Sequence, residues 1–178
     1  MNHYAVLTTI GEDRPGLVDA LSQFILDCGC NIEDSRMAVL GGEFAMLILV
    51  TGEANSMEKL LKTIVATGEG LELTIQVKLT RAPAEARQKG TLPYEIEAFS
   101  MDHPGIVQRV ANYLASRQIN IRALDTRLTN APITGLPLFS LHALVDLPAS
   151  ENVMEIRRGL QAIGARENID IEMKPAQL

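Results

Sequence analysis

Asp13-Arg14-Pro15-Gly16-Leu17-Val18 recurs as Asp102-His103-Pro104-Gly105-Ile106-Val107, and Asn31-Ile32 recurs as Asn120-Ile121, both at a spacing of 89 residues. A repeat of that period, carried by unlike residues in the same order, means one structural unit used twice, and it constrains the architecture before any single element is read. The register then slips: Ser35-Arg36 matches Thr126-Arg127 at a spacing of 91, and Phe44 and Val50 match Phe139 and Val145 at 95. The surplus residues of the second copy fall in Asn130 to Pro137, which holds two prolines and a glycine and reads as a surface loop that takes insertions. A length of 178 residues fits one mid-sized domain or two small ones, and the repeat selects two. The expected division is a first unit over 1–80, a linker over 81–92 (RAPAEARQKGTL, polar, with one proline and one glycine) and a second unit over 93–175.

Each copy offers the same succession of elements. Tyr4 to Ile10 is β-prone, and Tyr94 to Phe99 alternates Tyr94, Ile96 and Ala98 with Glu95 and Glu97, the pattern of a half-buried strand. Pro-Gly then opens a helix whose apolar stripe is Leu17, Val18, Leu21, Phe24 and Ile25, repeated as Ile106, Val107, Val110 and Leu114. Gly29 is placed to end the first of these helices. Asn31 to Leu40 and Phe44 to Val50 flank Gly41-Gly42, a hairpin signal. A second helix carries Met57, Leu60, Leu61, Ile64 and Val65 with Asn55 or Ser56 as its N-cap, and Val153, Ile156, Leu160 and Ile163 repeat the stripe. Leu71, Leu73, Ile75, Val77 and Leu79 close the first copy as a strand with one buried face, and Ile169, Ile171 and Met173 close the second. The order βαββαβ, twice, predicts an α+β protein of two ferredoxin-like units, each a four-stranded antiparallel sheet with both helices on one face.

Chemistry is sought where the copies agree. In Asp-x-Pro-Gly, between first strand and first helix, the acid can cap exposed N–H groups, proline suits the first helical turn, and glycine permits close approach of a backbone or ligand. A helix N-terminus also attracts anions, so an amino-acid carboxylate could dock there; the competing reading is that Asp13 and Asp102 only cap their helices. Asn31-Ile32 and Asn120-Ile121 stand where the helix returns to the sheet. Asn there is either a plain turn residue or part of an exposed sheet edge whose backbone groups pair with another copy or a ligand.

These residues, Asp13 to Val18 with Asn31-Ile32 and Asp102 to Val107 with Asn120-Ile121, resemble the motif of the ACT domain family, ferredoxin-like modules that bind amino acids or similar small ligands. The resemblance covers nearly all of the chain, and a tandem pair without a further domain is most similar to the glycine cleavage system transcriptional repressor group. It implies ligands between paired ACT units, near Asp13, Arg14, Pro15, Gly16, Asn31 and Ile32, and near Asp102, His103, Pro104, Gly105, Asn120 and Ile121. Arg14 against His103 implies that the two sites need not select the same ligand. The resemblance further implies a small amino-acid ligand, glycine first, a partner transcription factor, and a homodimer.

Other classes are disfavoured. Catalytic motifs of the G-x-S-x-G, H-E-x-x-H, P-loop and dinucleotide types are absent, so neither catalytic residue nor cofactor is expected. Cys28 and Cys30 supply at most two of four zinc ligands, and the three histidines are scattered, so a metal is not expected and buried thiols in a reducing compartment are. The formal charge is −6, with eight Lys+Arg against 12 Asp+Glu in residues 1–89 and eight against ten in 90–178. Neither half has the basic excess that duplex binding needs, which directs regulation through protein contacts. The beginning, MNHYAVLTTI, does not read as a signal peptide, and the longest apolar run, Phe44 to Val50, is far short of a bilayer span, so a cytoplasmic protein without membrane contact is expected.

Overall fold

The two-residue turn Gly41-Gly42, with φ of 62° and 89°, has the paired positive φ angles of the tight hairpin that joins twisted strands, which an L side chain would strain. Around it, a computed structural model describes residues 2–83, 90–131 and 135–176. The chain divides into two compact units, Met1–Arg87 and Gln88–Leu178. Unit 1 consists of β1 (His3–Glu12), α1 (Leu17–Asp27), β2 (Asn31–Leu40), β3 (Glu43–Gly52), α2 (Ala54–Gly70) and β4 (Thr74–Thr80). Unit 2 consists of β5 (Thr91–Met101), α3 (Ile106–Ser116), β6 (Asn120–Asn130), β7 (Pro137–Pro148), α4 (Val153–Glu167) and β8 (Asp170–Pro175). Each unit is a four-stranded antiparallel sheet, in the order β2-β3-β1-β4 and β6-β7-β5-β8. This is the expected α+β, ferredoxin-like architecture, used twice. β5 begins at Thr91, so the last two residues assigned to the linker are strand; residues 84–89 of that segment, and 132–134 of the expected loop, lie outside the described residues.

One face of each sheet is buried under its helices. In unit 1, Ala5 and Leu7 of β1 and Phe44, Ile48 and Val50 of β3 meet Leu21 and Ile25 of α1 and Leu60 and Ile64 of α2, all at 1% exposure or less. Ile96, Ala98, Leu141, Ala143, Val145, Leu114, Ile156 and Leu160 repeat this core in unit 2. Each such leucine or isoleucine contributes about 1.5–3 kcal/mol by leaving water. α1 stops by the geometry that its glycine foretold. Gly29 (φ 77°) donates to Leu26 O at 2.8 Å and Cys30 N to Ile25 O at 3.1 Å; in unit 2, Gln118 (φ 56°) and Ile119 make the same pair of bonds to Ala115 and Leu114.

Several details depart from expectation. Val18, Leu61 and Val65 are 42%, 37% and 62% exposed, because a helix lying on one sheet buries a narrow i, i+4, i+8 row and leaves the flanking apolar positions outside. α2 begins at Ala54 on the backbone of Glu53, so neither Asn55 nor Ser56 caps it. Leu71 and Leu73 precede β4 instead of belonging to it, since Glu72 turns left-handed (φ 55°), and Leu79, on edge strand β4, is 59% exposed. The spacing of 91 assigned to Ser35-Arg36 is also corrected. Ser35 pairs with Ile48 and Leu124 with Ala143, so β2 and β6 correspond at 89 along their whole length, and the spacing rises to 95 only across the hairpin. A slip of two residues keeps every side chain on its own face, which is why the apolar pattern could not expose the error. No described helix is long and apolar enough to cross a membrane.

Candidate ligand-binding loops

β1 and β3 run together to Glu12 and Glu43, and there the chain leaves the sheet with Asp13 N donating to Gly42 O at 3.0 Å. Asp102 N donates likewise to Pro137 O at 3.0 Å. Both loops therefore hang on the tip of their own hairpin. Each then enters its helix through a left-handed glycine, Gly16 (φ 95°, ψ −7°) and Gly105 (φ 102°, ψ −4°), which stands at the N-cap and supplies no side chain. The capping role for Asp13 and Asp102 is thus corrected: the cap position lies three residues further on, and neither helix has a side-chain cap. The first helical N–H groups stay free of side-chain caps, beside the positive end of the helix dipole.

In unit 1 this opening forms one wall of a cavity of about 270 Å³, lined by Asp13 through Asp19 with Met37 of β2 and Phe44 of β3. A larger recess of about 320 Å³ lies on α2, but its lysines are already engaged, Lys62 with Glu58 and Lys59 with Asp27 O, each at 2.6 Å. The loop cavity is the one built from the repeated motif.

The residues that follow each aspartate turn toward the end of the second helix. Arg14 Nη2 donates to Leu71 O at 2.8 Å and lies 3.7 Å from Glu72 Oε2. His103 Nε2 lies 3.2 Å from Glu167 O, and its Nδ1 3.3 Å from Pro104 O. A basic side chain at a helix C-terminus offsets the carbonyl dipoles there, so the same tether serves both units. Unit 2 adds three charges: Glu167 Oε2 lies 3.1 Å from Arg109 Nε, and Glu167 Oε1 accepts from Arg166 Nε at 2.9 Å. Arg109, Arg166 and Glu167 stand where unit 1 has Ala20, Gly70 and Leu71, so a search for repeated residues passes over them.

Asn31 and Ile32 are not beside the loop of their own unit. Asn31 pairs with Thr51 at the far end of β2, nine residues from the hairpin end that holds Asp13, a distance of about 30 Å along a strand. Asn120 pairs with Asp146 in the same way. Both pairs begin an edge strand, and both are followed by a bulge, between Ile32 and Asp34 and between Ile121 and Ala123. The signal for the bulge was present: Ile32 and Met37 share the helix-facing side although five residues apart, which a regular strand does not allow.

Among the described residues, Glu95, Glu97 and His142 bring donor atoms within 4.8 Å of one another on the face of the sheet away from the helices. Lys174 Nζ sits on both carboxylates, 2.8 Å from Glu97 and 3.8 Å from Glu95. Its hydrogen bond holds the Glu97 carboxyl below the usual range, and the same bond raises Lys174. Cys28 and Cys30 are free, buried thiols, and burial followed by the neighbouring Cys28 pushes Cys30 up.

The ACT domain family model matches residues 3–78. The glycine cleavage system transcriptional repressor of Escherichia coli K12 is 30% identical over 161 residues, 90% of this chain and 84% of the relative. A crystal structure of an unknown protein from Galdieria sulphuraria superposes with a TM-score of 0.86 at 28% identity, covering 99% of this chain and all of the other. Another, provisionally named as a glycine cleavage system transcriptional repressor, gives 0.74 at 23% identity over 100% and 99% of the two chains, a likeness of fold. With loops, hairpins and bulges repeated in both units, and a relative matched across nearly its whole length, the chain belongs to the ACT domain family, as a tandem member of the glycine cleavage system transcriptional repressor group.

Proposed function

We propose that this protein is a cytoplasmic, amino-acid-responsive regulator of transcription of the glycine cleavage type, which acts through a partner transcription factor without binding DNA or catalysing a reaction. The observation that carries the reading is the uncapped, glycine-entered helix N-terminus beside the loop cavity of unit 1. Exposed N–H groups and the helix dipole suit a carboxylate. A volume of about 270 Å³ lies near the small end of ligand pockets, about 300–1,000 Å³, and suits a small amino acid. The name of the Escherichia coli relative makes glycine the first candidate. With a charge of −6, the chain lacks the basic excess by which proteins hold duplex DNA, which favours a protein partner.

The Asn-Ile pairs enter through assembly. Antiparallel pairing of two edge strands of the β2 type sets the start of one strand beside the hairpin end of the other. Asn31 and Ile32 of one unit would then reach the Asp13-to-Gly16 loop of another, as Asn120 and Ile121 would reach Asp102 to Gly105, and a dimer follows from such pairing. Ligand binding regulates by favouring one arrangement of units over another, which requires unequal affinity for the two.

Co-purification of partners from native lysate, with and without glycine, is the test, combined with calorimetric titration of the common amino acids. Saturable binding and a glycine-dependent partner support the reading. A second reading, a ligand-free interaction module, is favoured by the exposed Met37, Val39 and Leu40 on β2, at 52%, 46% and 74%. Silence across the amino-acid panel with a glycine-independent partner would select it. Tight, sequence-selective DNA binding by the purified chain alone would overturn both.

A further inference from the structure

The two loops share a backbone but are fastened differently. In unit 1, the tether is the single guanidinium of Arg14, 47% exposed, and a Cβ built on Gly16 would meet nothing within 4 Å. In unit 2, a Cβ on Gly105 would lie 3.7 Å from Arg109 Nε and 3.9 Å from its Nη2. That guanidinium, on the first turn of α3, lies between the loop and the end of α4, with its Nε sealed from solvent and facing the Glu167 carboxylate, itself only 16% exposed. Arg166 holds the other carboxylate oxygen, and His103 reaches the Glu167 carbonyl. The His103 contact matches that of Arg14 in unit 1, but Arg109, Arg166 and the Glu167 carboxylate have no counterpart there, where Ala20, Gly70 and Leu71 occupy the equivalent positions.

We propose that the two loops are unequal receptors: unit 1 carries the amino-acid-responsive loop, and unit 2 holds its own loop closed with the tethered carboxylate of Glu167. The inference rests on the amino-acid reading given above. A free amino acid is recognised in part through its carboxylate, and in unit 2 the cation nearest the loop is already paired with a carboxylate of the same chain. A group tethered at short range acts at an effective concentration of about millimolar, so a free ligand must compete against it. In unit 1 the cation beside the loop is held more loosely: Asp13 and Asp19 also line that cavity, but Arg14 is bound by the Leu71 carbonyl and by Glu72, an exposed carboxylate 3.7 Å away, and can exchange them for ligand.

The test uses the full chain and glycine, followed by each of the other common amino acids. Calorimetry of the wild-type protein is expected to give one ligand per chain. In ¹H–¹⁵N spectra the Gly16 amide should shift with ligand while Gly105 stays in place. Glu167→Leu, which installs the residue of unit 1, should open a second, weaker site and let Gly105 move. Ala20→Arg combined with Leu71→Glu, which transplants the ionic pair into unit 1, should abolish wild-type binding. If that double variant fails to fold, the wild-type stoichiometry and the two glycine amides still decide. Two ligands per chain in the wild type, or movement of Gly105 at the same concentrations as Gly16, would overturn the inequality while leaving the amino-acid reading intact. No binding by any amino acid would overturn that reading and the inference with it.

Discussion

Gly16 separates the demands of space from those of backbone conformation. Nothing lies within 4 Å of where its Cβ would point, so Gly16→Ala introduces no clash, and its whole effect must come from φ of 95°. An L residue in left-handed conformation costs about 1–2 kcal/mol, and restriction of the unfolded chain by alanine returns about 0.4–1 kcal/mol only where the conformation is compatible, which it is not here. A loss of about 1–2 kcal/mol in unit 1 is expected. In a domain of this size that lowers the melting temperature by about 4–8 °C for each kcal/mol. Asparagine tolerates the left-handed region better, and β-branched valine tolerates it least, so the order of stability should be Gly, Asn, Ala, Val. Thermal unfolding followed by circular dichroism measures this order, and glycine calorimetry should show affinity falling along it, because relaxing φ re-aims the first N–H groups of α1. Equal stability for Ala, Asn and Val variants, at the wild-type value, would refute the left-handed entry and with it the uncapped opening on which the proposed ligand recognition rests.

Gly164 lies where α4 crosses the start of β8, and a Cβ there would come 2.4 Å from Ile169 O. Gly164→Ala should destabilise by about 1–3 kcal/mol in urea unfolding, against the helix propensity that alone would favour alanine, whereas Gly70→Ala, with open space around it, should be neutral or mildly stabilising. Glu97, lowered chiefly by the Lys174 hydrogen bond, contributes stability that is in place above the ordinary glutamate value, about 4.3, and is lost as pH falls through the lower folded value. NMR titration of the carboxyl should return it toward that ordinary value in Lys174→Ala, and an unchanged titration would remove Lys174 as the cause. Cys30, raised by burial, should resist alkylation by iodoacetamide in the native protein near pH 8 and react once urea unfolds the chain; equal rates in both states would show the thiol to be accessible.

Repetition made most of the fold legible. Two copies that agree on Asp-x-Pro-Gly, on Asn-Ile and on the order of apolar stripes confirm one another, and the hairpin at Gly41-Gly42 and the helix stop at Gly29 follow from φ angles that glycine reaches readily. Less legible were features that apolar pattern treats as equivalent. The spacing of 91 survived because a two-residue slip preserves sidedness, and Leu79 read as core because alternation does not say how far a helix extends over an edge strand. The site was harder to read than the fold. Asp13 looked like a cap because aspartate so often is one, yet the turn places Gly16 at that position. Asn31 and the Asp13 loop both sit at strand–helix junctions, and in an antiparallel unit those junctions lie at opposite ends of the sheet, which the motif alone does not say.

The same comparison explains why the repeat alone could not locate function. Duplication conserves what the backbone needs, and the side chains that differ are those free of that need. Val6, Thr8 and Leu47 of unit 1 face away from the helices at the positions taken in unit 2 by Glu95, Glu97 and His142, with Lys174 bridging the two acids. The first set is uncharged, with Leu47 50% exposed; the second offers charges largely paired among themselves. At the loops the divergence runs the same way, with an open glycine and one exposed arginine in unit 1 against an internal cluster of four charged or polar side chains, His103, Arg109, Arg166 and Glu167, in unit 2. Both differences pair charges with one another in unit 2 and leave side chains more open in unit 1. A regulator needs an unsatisfied surface to meet its ligand and its partner. Under the proposed inequality that requirement falls on the first unit, and variants there, not the matching variants in unit 2, are the ones expected to uncouple the protein from its signal.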